Sequence, residues 1–247
     1  MLSKSYFQSA VQKYYLNGTV ESTRWSFKDN NLYIDFVSPA SDLVGSIIAK
    51  EINIKNAEIA IYDTTRLLRL LTITDKDIFV DLTKKGTTYS KLTIADNQFD
   101  LIYSLADLSL IRKAPDVEEP TYELSIELSN SDINSLAKAK NALNDTADLV
   151  FNLEEEISGN GKKVEIKFGN DDEFSDRVSY YCRNVTTELS SIPKITYNAN
   201  LLKEILVCNK EMEKAEIFIS LAGLMKISFV NDKIESKYFL VQNENGD

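Results

Sequence analysis

Histidine is missing altogether from this chain of 247 residues, and several chemistries go with it. No Ser-His-Asp or Cys-His arrangement can be built, most zinc sites lose a usual ligand, and the ordinary proton shuttle of neutral pH is gone. Cysteine occurs twice, as Cys182 and Cys208, too far apart for a CxxC motif. Eight glycines and four prolines are too few for a low-complexity or loop-dominated protein. No apolar run approaches the ~18 residues of a membrane span, and the opening MLSKSYFQ lacks a charged-then-apolar signal pattern. There is no GxxxxGK[ST] segment. Gly159-Asn160-Gly161-Lys162-Lys163 resembles a phosphate loop only superficially, because a strand pattern follows it. These absences lead to the expectation of a non-enzymatic protein of the cytoplasm, with no catalytic residues, metal, cofactor or membrane partner.

Basic residues are also in deficit. Lys and Arg total 28 against 38 Asp and Glu, a formal charge of −10. Such a surface repels DNA at long range, so any DNA contact needs a local concentration of cations. Hydrophobic residues at 43% are enough to bury a core, which argues against global disorder.

What is present is a duplicated unit. IAIYDTTRLLRLL (Ile59 to Leu71) and ITYNANLLKEIL (Ile195 to Leu206) each read as a strand, a polar cap and a short amphipathic helix. Aligned on Tyr62 and Tyr197, they match Leu67, Leu70 and Leu71 with Leu202, Ile205 and Leu206. An offset this long means one fold used twice, not a short-period solenoid.

Along the chain the spacing predicts a helix over Ser3–Leu16 with Phe7, Ala10, Val11 and Tyr14 inward, stopped by Asn17-Gly18. A hairpin turning at Lys28–Asn31 follows, then strands at Leu43–Ile54 and Glu58–Tyr62. Asp63 or Thr64 caps the next helix, and three strands close the first half. Arg112–Thr121, RKAPDVEEPT, holds two of the four prolines and reads as a linker. The pattern then restarts: a strand at Tyr122–Leu128, a helix capped by Asn130 or Ser131, and a hairpin turning at Ser158–Gly161. Strands at Arg177–Thr187 and Lys194–Tyr197, a helix at Ala199–Asn209 and three final strands complete it. Four helices spread among many antiparallel strands fit an α+β fold of two similar domains, 1–113 and 122–247, joined by linker 114–121.

Helical wheels place Lys13 on the polar side of the first helix, with Lys4 near its start, and Arg66 and Arg69 almost opposite the leucines of the second. Lys138 sits on the polar face of the third, Lys203 and Lys210 on that of the fourth, and Lys140 falls on an apolar side. No helix has a dominant basic patch. Solvated helix faces explain such residues by themselves; a shared wall of them would meet phosphates without reading bases. Glu154–Glu156 and Asp171–Glu173 read as surface charge, and the scattered aromatics as core.

Several segments together resemble the T4-like bacteriophage sliding clamps, the processivity factors of DNA polymerases. They are the LSK start, NIKNAEIAIYDTTRLLRLLTI, LTIADNQFDLIYSLAD, LSNSDINSLAKAKNAL, SDRVSYYC and KISFVNDKIESKYFLVQN. The resemblance covers essentially the whole length. It implies a head-to-tail homotrimeric ring with helices lining the hole, opened by an ATP-driven clamp loader. It also implies a polymerase tethered through a hydrophobic tail peptide, support of late transcription, and residence in the cytoplasm of an infected bacterial host. Carried over, Lys4, Lys13, Arg66, Arg69, Lys138, Lys203 and Lys210 become the residues facing duplex DNA. Lys203-Glu204 stands where the first repeat has Leu68-Arg69, so the cationic pattern is not strictly repeated. Two other readings stand beside it: an acidic β-rich interaction module that never encircles DNA, and a carboxylate hydrolase using Asp171 and Asp172. The linker neighbourhood, Leu108 to Glu119, is where a partner pocket is expected.

Overall fold

The structure is a computed structural model that describes residues 1–155, 161–169 and 175–243. The chain forms two compact units, one of residues 1–116 with 231–236, the other of 117–230 with 237–247. The linker-like stretch is thus shared between them at Asp116–Val117.

The first unit runs β1 (Leu2–Ser3), α1 (Lys4–Tyr15), β2 (Thr23–Lys28), β3 (Asn31–Val37), β4 (Leu43–Ala49), β5 (Ala57–Ile61), α2 (Thr64–Thr72), β6 (Asp77–Lys85), β7 (Thr88–Ala95) and β8 (Asp100–Ser104). Its strands form two antiparallel runs, β5-β2-β3-β4 and β1-β6-β7-β8. The second unit runs β9 (Leu124–Ser129), α3 (Asn130–Ala142), β10 (Asp148–Glu155), β11 (Lys162–Phe168), β12 (Val178–Cys182), β13 (Val185–Thr187), β14 (Thr196–Asn198), α4 (Ala199–Cys208), β15 (Lys214–Ile219), β16 (Leu224–Val230) and β17 (Ile234–Val241). Its runs are β14-β10-β11-β12 and β13-β9-β15-β16-β17. With β13 set aside, the two units have the same strand order, so the duplication seen in a dozen residues extends to the whole topology.

The local chemistry explains most boundaries. Ser3 caps α1, and Leu16 ends it in the left-handed region (φ 46°), its N–H bonded to the Gln12 carbonyl. Asp29 and Asn30 both have positive φ, which makes the two-residue turn whose twist suits a hairpin. Ser129, one residue before the expected cap, opens α3 through a capping box with Asp132. Asp63 accepts from the Arg66 N–H and Asn198 from those of Asn200 and Leu201, so the matched positions of the repeat carry matched caps.

Two strands differ from the sequence pattern. The apolar alternation of Leu43–Ile54 stops pairing at Ala49, because Glu51 turns to φ 60° and Ile52 donates to the Asn30 carbonyl. The segment Arg177–Thr187 is broken at Arg183-Asn184. Its first piece, β12, joins β11, and its second, β13, joins β9 in another sheet.

In the first unit the core gathers on Trp25, fully buried, with Phe7, Tyr14 and Phe27 edge-on at 5.7, 6.1 and 6.3 Å. Edge-to-face packing suits the ring quadrupoles. In the second, Phe151 meets Tyr197 edge-on at 6.0 Å, and Ile133, Leu136, Leu202 and Ile205 are fully buried. Burying each such side chain contributes roughly 1.5–3 kcal/mol. The expected turn at Ser158–Gly161, apart from Gly161, lies outside the described residues, as do Glu156 and Asp171–Glu173. Among the described residues no helix is long and apolar enough to cross a membrane.

Candidate nucleic-acid interface

Each unit pairs its two helices, and the pairing decides which cations are free to meet a polyanion. In the first unit the Tyr14 and Tyr15 hydroxyls of α1 bond to the Thr64 and Thr65 hydroxyls at the start of α2, at 2.7 and 2.8 Å. Glu21 adds a clamp: one carboxylate oxygen accepts from the Thr65 N–H (3.0 Å) and the other from its hydroxyl (2.5 Å). Leu67 and Leu71 are thereby held inward, and Arg66 and Arg69 stand exposed on the other side of α2. The remaining cations of this unit behave differently. Lys4 is half-buried and donates its ammonium to the Thr74 carbonyl just past α2.

Lys13 is fully buried. It lies only about 60° around the helix from the buried Ala10, so its long stem is covered at the flank of the apolar stripe. The polar-face position expected for it is not where the side chain ends, and α1 offers it to no phosphate.

In the second unit the Asn130 side chain, at the start of α3, donates to the Lys210 and Met212 carbonyls beyond α4, both at 2.7 Å. Lys138 and Lys210 are exposed. Lys203 is half-buried and paired with Glu204 at 3.0 Å, so the local acid that breaks the repeat also neutralises the cation. Lys140 is buried and donates to the Leu143 and Asn144 carbonyls at 2.8 and 3.1 Å, closing the C-terminal end of α3. Burial, and then the nearby Lys203 ammonium, lower its pKa. A wheel could place Lys140 on the apolar side, but only the fold shows it acting as a cap.

The seven expected residues therefore separate into three groups. Arg66, Arg69, Lys138 and Lys210 are exposed on or beside helices; Lys4 and Lys203 are half-buried with partners; Lys13 is buried. Among the described residues the exposed four have no fixed side-chain acceptor, and such long cations are suited to transient contact with phosphate oxygens and unsuited to reading base edges. Among the described residues no group of three acidic, cysteine or histidine side chains is close enough to hold a metal. Glu154 is paired with Lys163 at 2.9 Å.

Sequence reasoning had no signal for the edge strands. β8 ends one run and β12 another, and each carries an exposed apolar side chain, Ile102 and Tyr181 respectively. Neither residue stands out in a one-dimensional pattern, because an edge is defined by the strand that is not there.

No protein-family model matches the sequence, and no curated protein does. Solved structures do match. Proliferating cellular nuclear antigen from Entamoeba histolytica superposes with a TM-score of 0.75 at 13% identity, over 98% of this chain and 96% of its own. The A. fulgidus PCNA, in a structure bound to the C-terminal region of FEN-1, superposes with a TM-score of 0.76 at 16% identity, over 100% and 98%. From end to end, this chain has the α+β sliding-clamp fold of PCNA, four helices with antiparallel sheets.

Proposed function

We propose that this protein is a sliding clamp: a ring of three copies, joined head to tail, that encircles duplex DNA and tethers a replicative polymerase. The observation that carries the reading is the complete duplication of one α+β unit in a chain that superposes on PCNA over its whole length. The exposed Arg66, Arg69, Lys138 and Lys210 supply the cations that an otherwise acidic surface needs. A ring supplies residence by topology, so weak, salt-sensitive phosphate contacts suffice and permit sliding.

The edges support the head-to-tail arrangement. β4 has residues 231–236 on its outer side, where the Lys50 N–H donates to the Lys233 carbonyl and Lys50 pairs with Glu235 at 2.6 Å. By the repeat, β12 is the counterpart of β4, yet among the described residues no strand pairs with its outer side, and none with that of β8. A β8 edge laid against the β12 edge of the next copy is a heterologous contact, which closes into a ring by rotation and removes two bare edges.

The remaining parts of the reading follow from likeness. A clamp loader opens the ring, and a short tail peptide of the polymerase docks on it, as the C-terminal region of FEN-1 is bound to the A. fulgidus protein. The host setting is the cytoplasm of a phage-infected bacterium, with late transcription as a second use. The decisive experiment pairs solution mass at micromolar concentration with primer extension on a circular template. A trimer and longer products are expected. A strict monomer with and without DNA, and no change in product length, would sink the proposal.

A further inference from the structure

The two halves of the molecule differ at one edge. In the second unit β15 is paired along its whole length with β9, Lys214 opposite Ser129 through Ile219 opposite Leu124. In the first, the corresponding strand β6 is paired on that side only with the two residues of β1, Leu2 opposite Ile78 and Ser3 opposite Asp77. The Lys4 N–H donates to the Lys76 carbonyl, so the even-numbered residues of β6 turn their main-chain groups toward this side. Val80 and Leu82 therefore face outward with no strand beside them among the described residues, up to the register shift against β7 between Thr83 and Lys84.

We propose that this edge of β6 is a docking site for an extended segment of a partner protein. The segment adds antiparallel to β6, with aliphatic residues at alternate positions and an acidic N-terminal end.

The second unit shows what covers such an edge. With Asp77 matched to Lys214, Val80 stands where Ile217 faces Ile126, and Leu82 where Ile219 faces Leu124. The position facing Val80 looks onto a cavity of about 110 Å3 lined by Leu2, Ile54, Ile78 and Val80 and, on its polar side, by Glu51 and Asn53, room for one aliphatic side chain. Phe79 beside it is 60% exposed. At the other end, Lys84 and Lys85 are exposed, and Lys91 is exposed opposite Thr83. An occupant's residue facing Thr83 corresponds to Glu123 of the second unit, an acid among three lysines. The same lysines repel a second copy of this edge, a common guard against self-pairing. Main-chain bonds then provide affinity, and the small, half-apolar slot and the basic end provide selection.

The test uses the whole protein and a synthetic peptide copying residues 121–127, the natural cover of the equivalent edge. Amide hydrogen exchange should slow at Val80 and Leu82 on binding and stay unchanged at Phe79 and Asp81, which already face β7. Lys84→Glu with Lys85→Glu, both at exposed sites, should weaken the peptide about tenfold. A peptide N-methylated at the positions facing Val80 and Leu82 should not bind. Exchange that is unaltered, or slowed without alternation, overturns the proposal. So does binding indifferent to both the lysine changes and the N-methylation, or pairing of two copies through this edge in place of the peptide. None of these readouts involves DNA or ring formation, so failure here leaves the clamp reading standing, and the reverse.

Discussion

The Tyr180 hydroxyl, on the edge strand β12, donates to the Asp132 carboxylate at 2.5 Å, tying that strand to the first turn of α3. At the matched place in the first unit, Tyr6 of α1 donates to the Lys50 carbonyl just past β4 at 2.6 Å. The third residue of each first helix thus reaches the equivalent strand, with donor and acceptor exchanged between helix and strand. The tie survives the duplication although the residues that make it do not.

Tyr180→Phe should cost about 1 kcal/mol in denaturant unfolding, the net worth of one hydrogen bond. Burial pushes the Asp132 carboxyl up, but hydrogen bonds from Ser129 and Tyr180 outweigh it and hold its pKa below the ordinary carboxylate range. A depressed folded pKa means the stabilisation is complete above the unfolded value of ~3.9 and is lost as pH falls through the folded one. The gap between wild type and variant should therefore be constant near neutrality and narrow in acid. A gap that widens in acid would contradict the assignment.

Arg66→Glu combined with Arg69→Glu changes two exposed side chains on α2. Folding stability should move by no more than about 0.5 kcal/mol for each. If α2 faces DNA as proposed, processive synthesis on primed circular template should drop on the order of tenfold at low salt, and the gap should narrow as salt rises, because screening weakens both the wild type's attraction to phosphates and the variant's repulsion. The Lys13→Gln variant, at a buried site, should instead lose stability; equal processivity defects in the two variants would argue against helix α2 as the contact face.

Gly45→Ala should be strongly destabilising for a reason that lies wholly across the strand. A Cβ at Gly45 would stand 2.2 Å from the ring of Phe36, its partner in the β3–β4 register and fully packed. Overpacking of this kind costs about 1–3 kcal/mol. Phe36→Leu in the same chain should recover part of the loss, measured as the shift in denaturation midpoint of the double variant.

Lys226 lies over the neighbouring rings of Tyr122 and Phe218, 4.7 and 4.5 Å from their centres, and bonds to Glu119 at 2.5 Å. This latch fixes the C-terminal end of the linker-like stretch onto β15 and β16. Lys226→Met should leave the rings packed but release Glu119, so amide exchange over residues 117–121 should rise severalfold. The cost in global stability should stay near 1 kcal/mol, as for other partly exposed pairs.

Much of the local structure is legible in the residues alone. The stripe Phe7, Ala10, Val11 and Tyr14 buries as its spacing demands, Asp63 and Asn198 cap where their short polar chains suggest, and Asp29-Asn30 turns the first hairpin. Each of these is settled within one or two turns of chain. The failures are of another kind. Leu43–Ile54 alternates correctly past the point where Glu51 leaves the sheet, and Arg177–Thr187 reads as one strand although its halves serve two sheets. Lys13 and Lys140 sit on helix flanks, where a wheel cannot say whether a long stem meets solvent or is covered.

Sequence by itself determined the elements of this protein, their twofold recurrence and the cations available to them, because periodicity, caps and turns act over a few residues. Tertiary structure alone decided which strand lies beside which, and so where, among the described residues, β6, β8 and β12 have an edge with no strand beside it and which lysines stay exposed. Alternation says only that a strand has an inner face. Its neighbours are chosen by the rest of the chain, through main-chain bonds that every residue type can make.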